Sequence, residues 1–286
     1  MTSVSVVIPT LSDVDSRLLE MLRSQTLPPD EIEVVRGVRP NGRARNEGVA
    51  RTRGDLLVFV DDDARPAHDD LIEKLAAPLL SDEGIGASGA SRLIPPDSSA
   101  FQRRVARQVA RIENPVVHAP VESRPDRQNH FYCSITTTCC AMRRAVFNKA
   151  GGFDEGLLQG VDTEFFVRLS RSGHRMLLVP DLWVYHPAPP DLRALLRKHF
   201  RYGIGHAQQV MQDAVRARPL ERQPLLYFLF RSAIFMPHCF LSYSYADPRW
   251  RIGFRPLKAI ASYASMLGYT WGRIHPPRPR GQKCGF

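Results

Sequence analysis

Short apolar runs and helix-like spacings alternate along the first third of the chain. The apolar runs are rich in β-branched residues and predict buried strands at residues 3–10, 32–35, 56–60 and 85–93. Between these runs, apolar residues recur three or four positions apart. This spacing predicts a helix that ends before Pro28, and further helices at residues 43–51 and 68–80. The chain therefore begins as a β-α-β-α-β series.

This series predicts an α/β fold, in which a Rossmann-type mixed, mainly parallel sheet is flanked by helices. The run Leu56–Val60 is entirely apolar, as in strands that are buried on both faces of a parallel sheet. Three carboxylates, Asp61, Asp62 and Asp63, follow it directly. Because ligands of such sheets bind at the carboxyl ends of the strands, we expect these side chains at the binding edge.

The middle of the chain is less regular. Residues 101–113 can form a basic helix, and residues 114–130, rich in proline, histidine and charge, are expected to be a loop or an acceptor-side insertion. Apolar patterns then predict a strand, a helix preceded by an acidic cluster, and two short strands, at residues 132–142, 153–172, 177–180 and 183–186.

The composition changes in the last hundred residues. Residues 1–186 carry 23 basic and 25 acidic side chains, whereas residues 187–286 carry 16 and 4, so the net charge of +10 comes from the C-terminal part. Residues 192–204 combine helical apolar spacing with interleaved Arg and Lys, which predicts a basic amphipathic helix. We therefore predict an α/β domain at residues 1–190 and a basic, aromatic-rich helical region at residues 191–286.

The most hydrophobic window, residues 225–245, is interrupted by Arg231, Pro237 and His238. A membrane span needs about 20 residues with few or no charges. This window is therefore expected to lie in a membrane interface or to pack as a helical hairpin. The basic and aromatic side chains around it suit an anionic lipid surface, and the same charges can alternatively line an anionic acceptor site.

The cysteines and the N-terminus favour a cytoplasmic protein. Five cysteines form an odd set without the paired C-x2-C spacing of a zinc site, and we expect them to be reduced thiols: Cys133, Cys139, Cys140, Cys239 and Cys284. The first residues enter an apolar strand at once, without the basic region, long apolar core and cleavage site of a secretory signal. The apolar fraction of 43% is enough for a core and excludes a disordered chain.

Six short segments occur in order between residues 3 and 206. They are Ser5–Thr10, Gly42–Gly48, Gly54–Asp63, Gly151–Glu155, Val161–Glu164 followed by Arg168-Leu169, and Tyr185-His186. In order and spacing these segments resemble the family 2 glycosyltransferases, enzymes of the GT-A fold that transfer a sugar from a nucleotide donor with inversion. The resemblance implies that residues 1–190 form a GT-A-like domain that binds a nucleoside-diphosphate sugar and carries the catalytic residues.

The three consecutive aspartates gain a role from this resemblance. Like charges in a row repel one another, so a divalent cation is their simplest use, and a solvated acidic turn is the alternative. The resemblance implies that Asp61 and Asp63 bind Mg²⁺ or Mn²⁺, and that Asp61 and Asp62 contact the donor. It also implies a position near the metal or diphosphate for His186, which can alternatively be a hydrogen-bonded packing residue.

Donor contacts are implied for further residues, namely Pro9, Thr10, Arg43, Arg45, Asn46 and Arg201. Guanidinium groups suit phosphate recognition, although ordinary surface arginines are the alternative, above all for Arg43. The family usually continues after the second strand into an aspartate that reads the nucleobase. Here residues 34–40 are short and basic instead, so the choice of nucleotide stays open.

The resemblance also implies a general base, because an inverting transfer needs a carboxylate that accepts the proton of the acceptor hydroxyl. Asp162 matches the aspartate of the Glu-Asp motif of the family. Glu164 is the competitor, since Val161 stands where the family usually has glutamate. An acidic cap on the following helix is the structural alternative, and it suits Glu164 better than Asp162.

The expected activity is thus metal-dependent sugar transfer to an acceptor hydroxyl of a lipid-linked molecule or of a polysaccharide precursor. The expected location is the cytoplasm, with peripheral attachment to the inner face of the plasma membrane. A nucleotidyltransferase of similar fold is the nearest enzymatic alternative, but it leaves Asp162 unexplained. A non-catalytic protein that binds nucleic acid or membrane is a further alternative. The basic region shows no recognisable nucleic-acid module, so nucleic acid is not the expected partner.

Overall fold

The structure is a computed structural model, and it describes four stretches of the chain: residues 2–123, 135–212, 219–243 and 250–276. Cys133 and Cys284 lie outside the described residues, as does part of the loop predicted at residues 114–130. The other three cysteines are buried free thiols.

The core of the molecule is an eight-stranded sheet with the order β2-β1-β3-β7-β5-β8-β4, in which β6 also pairs with β8. Its strands are β1 (Val4–Thr10), β2 (Glu31–Arg36), β3 (Leu56–Val60), β4 (Arg65–Pro66), β5 (Ile85–Leu93), β6 (Val121–Ser123), β7 (Cys139–Arg143) and β8 (Arg175–Tyr185). A separate two-stranded sheet pairs β9 (Leu241–Tyr243) with β10 (Trp250–Ile252).

Most strands of the large sheet run in one direction. β1 is parallel to β2 and β3, and β5 is parallel to β8. β7 lies between β3 and β5 and is antiparallel to both, so these five strands share one direction while β7, β4 and β6 oppose it. The predicted α/β fold with a mixed, mainly parallel sheet is therefore confirmed.

Ten helices connect and flank these strands. They are α1 (Ser16–Arg23), α2 (Asn41–Arg51), α3 (Leu71–Ser81), α4 (Ala100–Gln108), α5 (Arg144–Lys149), α6 (Val161–Arg171), α7 (Leu192–Met211), α8 (Pro224–Ala233), α9 (Phe235–Phe240) and α10 (Pro256–Ile274). A 3₁₀ turn, Pro219–Arg222, precedes α8. These counts refer to the described residues.

Both faces of the sheet are buried, because successive side chains of a strand point to opposite faces. In β3, Val58 and Val60 join a cluster that contains residues of α1 and α3. Leu57 and Phe59 join a second cluster with α5, α6 and the loop between them. Phe59 contacts Phe153 of that loop edge to face, with ring centroids 5.3 Å apart. This packing explains why residues 56–60 are apolar throughout.

Two predicted strand boundaries differ from the structure. The short strands predicted at residues 177–180 and 183–186 form the single strand β8, whose register with β5 shifts between Gly89 and Ser91. A β-bulge of this kind absorbs Asp181, which has a φ of 49°. The strand predicted at residues 132–142 is β7, which begins only at Cys139; residues 132–134 lie outside the described residues.

The predicted basic helix at residues 192–204 is longer in the structure, because α7 continues to Met211. One glycine in each helix allows α7 and α10 to pack closely. A Cβ on Gly203 would lie 1.9 Å from the carbonyl oxygen of Ser265 in α10, and a Cβ on Gly268 of α10 would lie 1.9 Å from that of Phe200. The two helices therefore cross with their backbones in contact.

The part of the chain after α7 forms the C-terminal arm, defined as the described residues 219–243 and 250–276. Its helix α10 packs on α7, and α8 and α9 cover α10. Leu257 of α10 shares a buried cluster with Val105 of α4 and Leu195 of α7. Among the described helices, none combines the length and apolar character that a membrane crossing requires. The division into units at residue 190 stays a prediction.

Candidate metal and donor site

Three strands bring polar residues to one edge of the sheet. Since β1, β3 and β8 run in the same direction, their carboxyl ends lie at the same edge. Thr10 ends β1, the three aspartates follow β3, and His186 follows β8. These residues line a cavity of about 250 Å³ together with residues of neighbouring loops; the full lining is Pro9, Thr10, Leu11, Val38, Asn41, Asp61, Asp62, Asp63 and His186.

Asp61, Asp63 and His186 form a possible ligand set for a metal. One ligand atom from each lies within 4.8 Å of the other two. The Nε2 atom of His186 is 3.3 Å from a carboxylate oxygen of Asp63. Carboxylate oxygens are the ligands that Mg²⁺ and Mn²⁺ prefer, and a neutral imidazole can complete the set. The residues present therefore fit a divalent cation.

The electrostatics of this cluster favour a cation. Burial and the negative charges of Asp61 and Asp62 raise the pKa of Asp63 to about 7. Burial lowers the pKa of His186 to about 4, although the charge of Asp61 acts in the opposite direction. His186 is thus neutral at pH 7, which leaves a ring nitrogen able to bind a metal. A cation would relieve the repulsion among the three carboxylates.

Asp61 and Asp62 are each fastened by a neighbouring side chain. The Arg45 guanidinium donates from Nη2 to Asp61 Oδ1 at 2.7 Å, and the Asp61 backbone N–H donates to the carbonyl of Thr138 at 3.0 Å. The Thr10 hydroxyl donates to Asp62 Oδ2 at 2.5 Å. Arg45 is only 4% exposed. Its guanidinium therefore positions Asp61, a predicted metal ligand, and is not part of the cavity lining.

The other two predicted donor residues of α2 point elsewhere. The Asn46 amide donates to the carbonyl of Phe153 at 2.9 Å and accepts from the Phe153 backbone N–H at 2.9 Å. Asn46 thereby ties α2 to the loop after α5. Arg43 is 54% exposed and pairs with Glu47 at 2.9 Å on the same helix. Neither side chain is part of the cavity lining.

The two acidic residues predicted as base candidates lie in the first turn of α6 and have different partners. Glu164 pairs with the Arg168 guanidinium through two contacts of 2.8 Å. Arg168 also donates to the carbonyl of Gly152 at 2.8 Å, so this pair holds the preceding glycine loop. An Asp162 oxygen accepts from the backbone N–H of Thr163 at 2.9 Å. Both side chains thus lie at a helix N-terminus, a position that acidic residues commonly occupy.

The buried thiol of Cys140 lies near both Asp162 and Asp61. Burial raises the pKa of Cys140 well above its usual value; Cys139 and the charges of Asp162 and Asp61 raise it further, while Arg45 lowers it. Coulombic effects weaken with distance, so Asp162 and Asp61 both lie near this thiol. Cys140 belongs to β7, directly beside β3. Asp162 and the metal cluster are therefore both close to β7.

The structure adds one cation that the sequence pattern did not single out. Lys198 of α7 is half-buried, and its charge acts on Asp63, after burial and the two neighbouring aspartates, and also on His186. Arg201, the predicted donor residue of this helix, is exposed. In the sequence, Lys198 is one of several basic residues of an amphipathic helix, and nothing in that spacing distinguishes it from its neighbours.

Two glutamines of α7 were also missed. Gln208 and Gln209 are 5% and 4% exposed. Gln208 accepts from the backbone N–H of Leu158 at 3.1 Å, and Gln209 donates to the carbonyl of Gly160 at 2.7 Å. Gly160 precedes α6 with a φ of 73°. These buried amides therefore hold the loop from which Asp162 emerges. Two adjacent glutamines in an otherwise apolar stretch are the only signal in the sequence.

Comparison with known proteins identifies the family. Residues 2–205 match the family described as "Glycosyltransferase like family 2". The chain belongs to this family. The family 2 glycosyltransferase predicted from the sequence motifs is therefore confirmed, and the enzyme class with it, whereas the inverting mechanism and the roles of individual site residues stay predictions.

Individual relatives of this family 2 chain are distant. It is 24% identical over 250 residues to "Glycosyltransferase AglE" of Haloferax volcanii, a match that covers 75% of this chain and 76% of AglE. It is 26% identical over 190 residues to "Uncharacterized protein y4gI" of Sinorhizobium fredii, covering 60% of this chain. The chain spans only 20% of the length of y4gI.

One solved structure shares the fold over nearly the whole family 2 chain. This is the mannosyltransferase PcManGT from Pyrobaculum calidifontis, in complex with GDP-Man and Mn²⁺. The two structures match with a TM-score of 0.58 at 16% identity, over 96% of this chain and 87% of that chain. At this identity the likeness establishes the fold, in agreement with the GT-A-like architecture predicted from the sequence.

Proposed function

We propose that this chain is a metal-dependent, inverting glycosyltransferase that moves a sugar from a nucleoside-diphosphate sugar to an acceptor hydroxyl. The observation that carries the proposal is the cluster of Asp61, Asp63 and His186 at the wall of a cavity beside the ends of β1 and β3. Two similar proteins support the proposal: AglE is named a glycosyltransferase, and PcManGT is a mannosyltransferase in complex with GDP-Man and Mn²⁺.

The cluster would hold Mg²⁺ or Mn²⁺ through Asp61, Asp63 and His186. When bound, the cation supplies positive charge that offsets the charge developing on the departing diphosphate. The protein's own part is to keep the ligands in place: Arg45 orients Asp61, and Thr10 orients Asp62 toward the donor. Lys198 adds a second positive charge on the side of Asp63 and His186, where the diphosphate is expected.

Asp162 is the proposed general base. Its carboxylate has no strong cationic partner in the first turn of α6, so it can accept the proton of an acceptor hydroxyl. Glu164 is the weaker candidate, because its two oxygens are engaged by Arg168. Inversion follows from a single displacement in which the acceptor oxygen attacks from the side opposite the diphosphate.

The proposed location is the cytoplasmic face of a membrane, and the proposed acceptor is a hydroxyl of a lipid-linked molecule or of a polysaccharide precursor. The positive charge of the last hundred residues supports this location, since the cytoplasmic leaflet is anionic. Val38 and Asn41, which line the cavity before and at the start of α2, are the proposed contacts for the nucleobase or the sugar of the donor.

A thermal-shift screen of nucleotide sugars, with and without Mn²⁺, tests the metal site. A ligand that binds only the folded protein raises its melting temperature by mass action. We expect one nucleotide sugar to raise it only when Mn²⁺ is present, and Asp63→Ala to lose both effects. Glu83→Ala, which removes an exposed carboxylate just before the amino end of β5, at the opposite edge of the sheet, is the matched control. A parent protein that no nucleotide sugar stabilises with Mn²⁺ would overturn the proposal.

A further inference from the structure

Exposed apolar side chains are distributed unevenly over the molecule. Among the described residues, eighteen large apolar side chains are exposed, and twelve of them lie between residues 225 and 274. The α/β sheet region in residues 2–190 contributes only Leu11, Leu80 and Leu158. Soluble proteins rarely expose contiguous apolar patches of this kind unless the patch binds something. The C-terminal arm therefore presents an exposed apolar surface that is expected to bind a partner.

Helix α8 is the clearest case. Its sequence, PLLYFLFRSA, is almost wholly apolar, yet none of its residues is buried. Leu225 is 66% exposed, Leu226 50%, Leu229 60% and Phe230 49%. A helix of a globular protein normally turns its apolar stripe toward the core. Here α8 packs on α10 through only part of its circumference and leaves most of its apolar surface outside.

The exposed surface extends along α10. Near one end, the rings of Tyr227 and Tyr269 are 5.4 Å apart, and farther along α8 the Arg231 guanidinium donates to the hydroxyl of Ser262 at 2.8 Å. α8 therefore runs antiparallel to α10. At the other end, the exposed rings of Phe240 and Phe254 contact each other at 5.4 Å. With 19 residues, α10 is about 28 Å long.

We name this surface the apolar strip, defined as Leu225, Leu226, Leu229, Phe230, Phe240, Ile252 and Phe254. Three cations lie in the helices that carry or support it: Arg231 in α8, and Arg255 and Lys258 at the start of α10. Arg231 donates to the hydroxyl of Ser262, which lies one helical turn from Lys258, and Arg255 directly precedes α10, so the three cations lie close together. Among the described residues, no carboxylate pairs with any of them.

We propose that the apolar strip docks in the interface of an anionic lipid bilayer, with α8 and α10 lying along the membrane surface. The inference rests on the proposed function in placing the enzyme at a membrane, and it names the surface that makes the contact. Apolar side chains would enter the acyl boundary while the basic groups meet lipid headgroups. The described helices are unsuited to crossing the membrane, so docking is in plane.

Charge distinguishes a bilayer from a second copy of the chain as the occupant. Residues 219–286 contain ten Lys and Arg but only two Asp and Glu. Two copies joined through the apolar strip would bring these like charges together, which is unfavourable, whereas anionic headgroups complement them. The contact between Gly203 and Gly268 fixes α10 on α7, the helix that carries Lys198. Docking would thus hold the catalytic cavity at a set orientation to the lipid surface.

Co-sedimentation with vesicles tests the proposal. The full chain is mixed with vesicles of phosphatidylglycerol and phosphatidylcholine, or of phosphatidylcholine alone. We expect binding to the anionic vesicles that weakens with salt. Leu225→Ser/Leu229→Ser should lower the partition coefficient by roughly tenfold or more, because two large apolar side chains no longer enter the bilayer. Ile252→Ser/Phe254→Ser, on a different part of the strip, should act similarly.

Leu80→Ser is the matched control, since Leu80 is 57% exposed but lies on α3. It should bind vesicles like the parent protein. Absence of vesicle binding by the parent, or unchanged binding of both double variants, would overturn the proposal. So would a dimer in sedimentation velocity that Leu225→Ser/Leu229→Ser dissociates. Donor stabilisation with Mn²⁺ is measured without vesicles, so failure of the catalytic proposal would appear separately from failure of membrane docking.

Discussion

The carboxyl edge of the sheet and the C-terminal arm break the usual rules of burial in opposite ways. At the sheet edge, polar side chains such as Arg45 and Thr10 are buried, and each donates a hydrogen bond to an aspartate of the cluster. In the arm, apolar side chains such as Leu225 and Ile252 are exposed without such a partner. We propose that the first region binds a nucleotide-sugar donor and that the second region binds a lipid surface.

The comparison has a physical reason. A donor must meet ligands in fixed positions, so the edge places its carboxylates on strand ends and fastens them with hydrogen bonds from rigid elements. A lipid surface demands no fixed geometry, only apolar area and positive charge. The arm accordingly supplies both without a defined cavity. Substitutions at the two regions should therefore separate chemistry from attachment.

The largest expected effect is that of Asp162→Asn on turnover. A positioned general base contributes about 10²- to 10⁴-fold to rate. We expect kcat to fall by that factor, while metal-dependent donor stabilisation and vesicle binding stay at the parent level. Steady-state transfer assays, with thermal shift for binding, make the measurement. Glu164→Gln is the companion variant: it should cost stability through the loss of its Arg168 partner, with a smaller loss of kcat. Equal kcat for Asp162→Asn and the parent would remove Asp162 as the base.

The next effect concerns the contact between α7 and α10, through which the C-terminal arm packs on the rest of the molecule. Gly268→Ala would place a Cβ 1.9 Å from the backbone carbonyl of Phe200, so the helices must separate. Overpacking of this kind costs about 1–3 kcal/mol. We expect a lower free energy of unfolding by chemical denaturation, with donor stabilisation by Mn²⁺ retained, because Asp61, Asp63 and His186 come from the sheet. Gly253→Ala is the control, since its Cβ would meet nothing closer than 4.0 Å. Loss of donor stabilisation would mean that the arm helps build the site.

The sequence predicted the sheet edge far better than the arm, for reasons that particular residues make plain. The apolar run that ends at Val60 predicts a strand, and the three aspartates directly after it predict metal ligands. Both predictions need only neighbouring residues. The contact of Arg45 with Asp61 could not be predicted from the local sequence. The two residues are 16 positions apart, and their contact depends on the packing of α2 against the sheet. The packing of α7 brings Lys198 near Asp63 and brings Gln209 to the loop before α6, and no local pattern encodes that packing.

For the arm, the sequence predicted hydrophobic and basic composition but not arrangement. The interruptions at Arg231 and Pro237 argued correctly against a crossing helix. They could not indicate that α8 lies antiparallel on α10 with its leucines outward, since that arrangement depends on contacts such as Tyr227 with Tyr269. The direction of β7 was not predicted for the same reason: a strand was expected in this part of the chain, but strand direction is a tertiary property.

An effect of similar size tests whether the hydrogen bond from Arg45 holds Asp61 in place. Arg45→Met should lower the free energy of unfolding by about 1.5–3 kcal/mol, the usual value of a hydrogen bond to a charged group, because Asp61 loses its buried partner. We also expect weaker Mn²⁺-dependent stabilisation, since Asp61 is no longer oriented. Arg51→Met removes an arginine of the same helix that is 52% exposed, and it should leave both measurements nearly unchanged. Parent-like Mn²⁺ binding by Arg45→Met would show that Asp61 needs no support.

The smallest expected effect belongs to Arg43, two positions before Arg45 on α2. Its guanidinium faces solvent and pairs with Glu47, a contact between residues four positions apart on a helix that is worth about 0.3–0.5 kcal/mol. Arg43→Ala should therefore change the free energy of unfolding by no more than that. It should change KM for the donor by less than about twofold, which is about 0.4 kcal/mol, because the side chain is not part of the cavity lining. A tenfold rise in KM at unchanged kcat would instead mean that the side chain swings to the diphosphate when the donor binds. In that case the binding edge would extend beyond the cavity that Asp61 and His186 line.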